Sequence, residues 1–211
     1  PPCVAQCLGL PRWDNLEDTH TYEKIFFMPT WRTWLHGSSA EQFSGSAYRK
    51  AITNIINSKT LNDLLERKKA ELVLYLHDVF QQQFADIIKT KNPRIVIATS
   101  KSHDVQELIN SSTVMVTDYS SVAFDFAYLK KPIIYYQFDE AEFFSKHFKR
   151  GYFDYRKHGF GPVVCSPNEV IDHLSKTLDN PNHNQEYRIR MEEFFERRDL
   201  RNCERNYLAI R

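Results

Sequence analysis

Net charge is nearly absent: 28 Lys and Arg stand against 27 Asp and Glu, for a formal net charge of +1. That removes any bulk electrostatic case for nucleic acid, and an anionic ligand would have to be met by local clusters. Cysteine is scarce. The four residues, Cys3, Cys7, Cys165 and Cys203, show no C-x-x-C spacing and no partner histidine pattern. Metal sites and disulfide frameworks are therefore weakly supported, and reduced thiols of a cytosolic protein are the expectation. No apolar run approaches the roughly 20 residues that span a bilayer, and the opening PPCVAQCLGL lacks a basic n-region, so neither a membrane span nor a secretory leader is expected. Also missing are the G-x-x-x-x-G-K-[ST] loop, G-x-G-x-x-G, a nucleophile elbow and a zinc signature. There is no repeat, low-complexity tract or internal domain boundary.

What is present is a globular composition, 42% hydrophobic and 26% charged over 211 residues, enough for one domain with a sizeable core. Residues 1 to 20 hold prolines at 1, 2 and 11 and little periodicity, and are expected to be an irregular lead-in from something upstream. The domain proper is expected over 21 to 211. Short apolar runs at 24 to 28, 72 to 76, 94 to 98, 114 to 117 and 133 to 136 suit buried strands, with a last short strand at 163 to 165. Between them, 46 to 57, 62 to 70 and 79 to 89 have helical spacing, Asp104 is placed to cap a short helix through 109, and a helix or turn follows at 142 to 147. Residues 37 to 45 are expected to be polar and mobile, 152 to 162 a loop, 168 to 178 and 185 to 197 closing helices, and 204 to 210 a final turn. Strands alternating with helices imply an α/β fold, a Rossmann-like parallel sheet covered on both faces.

The stretch 113 to 136, TVMVTDYSSVAFDFAYLKKPIIYY, reads as strand, polar turn, amphipathic helix and second strand. Its helix is expected to begin near Ser120 or Ser121. Two readings of the turn stand side by side: Asp118 or Ser120 caps the helix, or the turn's hydroxyls and unpaired N–H groups hold an anion such as phosphate. Other polar groups also follow strands and could gather at the same sheet edge: Thr30 and Arg32, His77, and the loop from Thr99 to His103. Arg32 could clamp a phosphate bidentately or be a solvated charge. His77 could serve as acid, base or anion donor, or be structural. Asp125, one turn after Ser121, could orient that hydroxyl or simply favour the helix dipole. Tyr152, Tyr155, Arg156 and His158 form a basic aromatic cluster that could meet a base or an acceptor chain, or be a solvated loop.

The string TDYSSVAFDFAYLKKPIIYY resembles the signature of the CDP-glycerol glycerophosphotransferases, which polymerise teichoic acid and related capsule backbones. GLPRWDNL at 9 to 16, MPTWR at 28 to 32, RGYFDY at 150 to 155, GP at 161 and 162 and NCERNYLAI at 202 to 210 follow in matching order. The resemblance implies one half of a GT-B glycosyltransferase fold, the donor-nucleotide half, with the N-terminal half of the enzyme absent from these residues. It implies that Ser120 and Ser121 hold the donor diphosphate, that Arg32 assists, and that Thr30, Asp118 and Asp125 belong to the donor site. His77 matches the catalytic histidine of an H-P motif, although Asp78 stands here in place of the proline. The expected reaction moves glycerol phosphate from CDP-glycerol to a poly(glycerol phosphate) acceptor, lipid-linked in this family, with release of CMP. No metal and no cofactor are implied, nor nucleic acid as a partner. The general base is expected from the absent half, and the enzyme is expected at the inner face of the cell membrane. CDP-ribitol or a nucleotide sugar as donor, and a non-catalytic interaction domain, are the alternatives.

Overall fold

A computed structural model describes residues 6–84 and 87–211. Cys3 and the opening prolines lie outside the described residues. Six strands form one sheet: β1 (Lys24–Met28), β2 (Glu71–Tyr75), β3 (Ile95–Ala98), β4 (Val114–Thr117), β5 (Ile133–Tyr136) and β6 (Val163–Val164). Their order is β3-β2-β1-β4-β5-β6 and every neighbouring pair is parallel.

Parallel strands joined by helical crossovers are buried on both faces, which is why these segments read as unbroken apolar runs. Successive side chains point to opposite faces. Ile25 and Phe27, Leu72 and Leu74, Val114 and Val116, Ile134 and Tyr136 enter one core. Phe26, Val73, Met115, Ile133 and Tyr135 enter the other. The first core is covered by α1 (Ala40–Gly45), α2 (Ala47–Ile56), α3 (Lys59–Lys68), α4 (Asp78–Phe84) and α9 (Pro167–Asp179), which contribute Phe43, Ile52, Leu64, Phe80 and Leu174. The second is covered by α5 (Val105–Ser111), α6 (Val122–Tyr128) and α10 (Gln185–Phe194), through Leu108, Phe126 and Met191. Beside the sheet lie α7 (Glu140–Lys146), α8 (Tyr155–His158) and α11 (Asn202–Ile210).

Several local expectations change. Residues 37 to 45 are not simply a polar loop: Ser39 and Gln42 make a reciprocal capping box for α1, which sinks Phe43 completely into the core. The helix expected over 79 to 89 is described as Asp78–Phe84, and residues 85 and 86 lie outside the described residues. Residues 155 to 158, expected as loop, form α8, capped by Asp154. The terminal segment is a nine-residue helix rather than a turn.

The lead-in is tied to the body of the domain. Pro11–Asn15 forms a 3-10 turn, and Asp14 accepts hydrogen bonds from the N–H groups of Asn202 (2.8 Å) and Cys203 (2.7 Å) at the start of α11. A carboxylate 188 positions away thus supplies the cap that α11 lacks locally. Trp13 stacks on Tyr128 of α6 at 4.7 Å and meets Phe195 edge-on at 5.3 Å.

Candidate functional site

In an open parallel sheet, ligands are met beyond the carboxyl ends of the strands, at the point where strand order reverses. Here that point lies between β1 and β4, whose last residues Met28 and Thr117 are paired in register. The two loops leaving it are cross-linked. Thr117 Oγ1 donates to the Met28 carbonyl at 2.7 Å, and the Thr30 N–H donates to Asp118 Oδ1 at 2.8 Å. Asp118 Oδ1 also accepts the Tyr119 N–H at 2.6 Å, and its backbone carbonyl accepts from Gln137 Nε2 at 3.2 Å. The Thr30 hydroxyl is buried with no hydrogen-bond partner among the described residues.

Arg32 lies beneath this turn with 0% of its surface exposed. Its Nε and Nη2 donate to the two oxygens of Asp139, at 2.7 and 2.9 Å, and Nη1 donates to the Thr30 carbonyl. Nη2 also stands 2.9 Å from Asp118 Oδ2, within ion-pair distance but without hydrogen-bond geometry. The rings of Phe143 and Tyr48 lie 4.9 and 5.1 Å from the guanidinium carbon. Burial by itself would lower the Arg32 pKa, and the charges of Asp118 and Asp139 reverse that and push it above its ordinary value. Burial pushes Asp139 up, with Arg32 opposing. One guanidinium faces two carboxylates here, so Arg32 carries no spare positive charge outward. Its contacts are those of an internal brace joining the exits of β1, β4 and β5.

Above the brace, the turn departs from ordinary capping. Ser120 Oγ accepts the Val122 N–H at 3.2 Å, whereas Ser121 at the N-cap position makes no side-chain cap bond and is exposed. Ser121 lines a groove of about 400 Å³ together with Arg12, Asp104, Val105 and Gln106. Asp125 does not hold the Ser121 hydroxyl. Its oxygens accept from Arg12 Nε (2.9 Å), Arg12 Nη2 (3.2 Å) and Trp13 Nε1 (2.6 Å), because the docked lead-in brings stronger donors to the same helix face.

His77 leaves β2 on the other side of β1, half-buried and stacked on Trp31 at 5.7 Å. Trp31 also meets His147 at 5.2 Å and His36 at 6.0 Å. Burial, and then the charge of Arg32, hold His147 below the ordinary histidine value. The loop from Thr99 to His103 borders a second groove of about 330 Å³, which shares Asp104 and Val105 with the first. Of the basic aromatic cluster, Tyr155 is spent on the turn, donating to the Tyr119 carbonyl at 3.2 Å, whereas Tyr152 is 87% exposed. Among the described residues no group of three or more His, Cys, Asp and Glu could hold a metal ion.

Thr30, Arg32, Asp118, Ser120 and Ser121 therefore share one edge, with Thr30, Arg32 and Asp118 in direct contact. Asp125 faces the lead-in, and His77 joins the edge through Trp31. Asp139, Arg12 and Trp13 belong to the same constellation and were not singled out by sequence. Each had a signal: Asp139 follows a strand, and Arg12 and Trp13 lie within GLPRWDNL, one of the segments that carry the family resemblance.

Comparison with known proteins is consistent along the chain. The profile of the family described as CDP-Glycerol:Poly(glycerophosphate) glycerophosphotransferase matches residues 7–211. The minor teichoic acid biosynthesis protein GgaB of Bacillus subtilis strain 168 is 36% identical over 96% of this chain and 23% of its own length. A teichoic acid poly(glycerol phosphate) polymerase of Bacillus spizizenii is 30% identical over 72% of this chain and 36% of its own. Among solved structures, the wall teichoic acid polymerase TagF, in a variant soaked with CDPG, superposes with a TM-score of 0.64 at 22% identity. That match covers 95% of this chain and 48% of the TagF chain, and shows a shared fold. The chain spans less than half the length of each of these relatives.

Proposed function

The chain belongs to the CDP-glycerol:poly(glycerophosphate) glycerophosphotransferase family, and on that premise we propose that residues 21 to 211 are the donor-binding half of an enzyme that transfers glycerol phosphate from CDP-glycerol to a growing poly(glycerol phosphate) chain. The carrying observation is the turn from Asp118 to Ser121. It stands at the topological switch point, is bonded to the β1 exit through Thr30, and leaves the Ser121 hydroxyl uncapped above a groove.

In this reading the diphosphate lies against Ser120 and Ser121. A terminal glycerol hydroxyl of the acceptor attacks the distal phosphorus, a new P–O bond forms, the pyrophosphate P–O bond breaks, and CMP leaves. The hydroxyl proton passes to a base outside this chain. What residues 21 to 211 supply is position and charge stabilisation, since phosphoryl transfer asks little covalent chemistry of a protein. Asp118 orients the turn, Thr30 fixes its distance from β1, and Arg32 acts from within by holding Asp118 and Asp139. His77 supplies an N–H to the phosphoryl oxygens from the β2 side. None of the described helices is long and apolar enough to cross a membrane. In this reading the acceptor is lipid-linked and is met at the membrane surface.

Calorimetric titration with CDP-glycerol, CDP-ribitol and a UDP-sugar, coupled to a CMP-release assay, tests the proposal. CDP-glycerol is expected to bind best, with little or no turnover by these residues alone. Tighter binding of the UDP-sugar would replace the donor assignment, and full CMP release by residues 1–211 would refute the division of labour. The ribitol arm matters because a ribitol-phosphate polymerase of Staphylococcus aureus, TarL, is 25% identical over 86% of the chain.

A further inference from the structure

The donor diphosphate proposed above is strongly anionic, yet the cation that sequence places nearest it is neutralised. Arg32 is wholly buried and faces two carboxylates, Asp118 and Asp139. Serine hydroxyls are neutral donors. An exposed guanidinium or ammonium with free N–H donors has to come from elsewhere.

Arg12 is placed to supply it. Its side chain is 52% exposed, and it lines the groove that Ser121 also lines. Ser121 and Asp125 are four positions apart, which puts them one above the other on the same side of the chain. Asp125, only 5% exposed, grips Arg12 through Nε at 2.9 Å and Nη2 at 3.2 Å. That grip fixes the planar guanidinium while leaving its remaining N–H donors unmatched by any protein group among the described residues. The support below is rigid, because Trp13 donates to the same carboxylate at 2.6 Å and Asp14 clamps the start of α11. A guanidinium already held in place loses little freedom when a phosphate arrives.

We infer that Arg12 is a phosphate-binding residue of the donor site, delivered by the lead-in and aimed by Asp125 at the groove beside Ser121. The ligand chemistry is a nucleotide phosphate, and the inference rests on the donor-binding reading. The lead-in is then part of the site as well as the connection to it. The bland competitor is an anchor: Arg12 would merely pin the lead-in to α6.

Titrations of CDP-glycerol and of cytidine into the protein and its R12Q, R12K and W13F variants separate these. Loss of a charge-assisted phosphate contact predicts that R12Q weakens CDP-glycerol binding about 10- to 100-fold while cytidine binding is unchanged. R12K keeps the charge but cannot take the fork, and should fall between. W13F removes the other anchoring donor and keeps the cation, so its loss should be much smaller than that of R12Q. Equal losses in W13F and R12Q, or a parallel loss of cytidine binding, would assign Arg12 to anchoring and overturn the inference. Unchanged CDP-glycerol affinity in R12Q overturns it while the donor reading stands. If the unaltered protein binds no cytidine nucleotide, both fall together.

Discussion

Thr30 donates its backbone N–H to Asp118 across the switch point of the sheet, at 2.8 Å. The bond joins the loop after β1 to the loop after β4, 88 positions away, and the Asp118 carboxylate that accepts it lies against Arg32. The proposed phosphate turn is thereby built on a buried charge cluster, and its shape depends on the groups packed beneath it.

The first expectation concerns that cluster. R32M removes the guanidinium and leaves two carboxylates buried without it, which costs about 3–5 kcal/mol by the behaviour of broken buried ion pairs. The triple variant R32M/D118N/D139N removes the uncompensated charge and should recover a good part of the loss. Urea unfolding at neutral pH measures both; a single variant within about 0.5 kcal/mol of the parent, the range of ordinary surface changes, would show that the cluster is not a brace.

Acid should loosen the join between the lead-in and α11. Burial alone would raise the Asp14 pKa, but the N–H groups of Cys203 and Asn202 outweigh it and hold it at about 2, against an ordinary 3.8. A carboxyl whose folded value is depressed contributes stability that is present above its unfolded value and is lost as pH falls through its folded value. The contribution of Asp14 is therefore expected to fade from about pH 4 to about pH 2. Denaturation midpoints at pH 5 and pH 2.5 should converge between the parent and D14N. A gap that stays constant with pH would contradict the assignment.

The Gly161-Pro162 pair has a steric reason. A Cβ at Gly161 would stand 1.8 Å from the Ile133 carbonyl oxygen, which is backbone and cannot swing aside. G161A should displace β6 from β5 and destabilise by about 1–3 kcal/mol, the range for overpacking. A thermal midpoint equal to the parent's would show that the loop yields freely.

The strands and the switch-point turn were legible in sequence because both faces of the sheet are buried, so each strand is a short apolar run that ends abruptly at a polar group. Capping chemistry was legible in principle too, in Ser39 with Gln42 and Ser166 with Glu169, yet the first of these lies in a stretch whose polarity suggests a mobile loop. What stayed hidden were partnerships across the fold. Asp139 meets Arg32 over 107 positions and Arg12 meets Asp125 over 113. No local spacing encodes such pairs. For the same reason neither local role open to Asp125, orienting the Ser121 hydroxyl or favouring the helix dipole, points to its partners Arg12 and Trp13 in the docked lead-in.

The central claim, that the turn from Asp118 to Ser121 holds the donor diphosphate, is tested most directly by titrating CDP-glycerol into the protein and into S120A/S121A, with thermal midpoints measured alongside. Two lost hydroxyl contacts to a charged phosphate predict a fall in affinity of at least about tenfold, with the fold intact. Equal affinity in the two proteins would contradict the account.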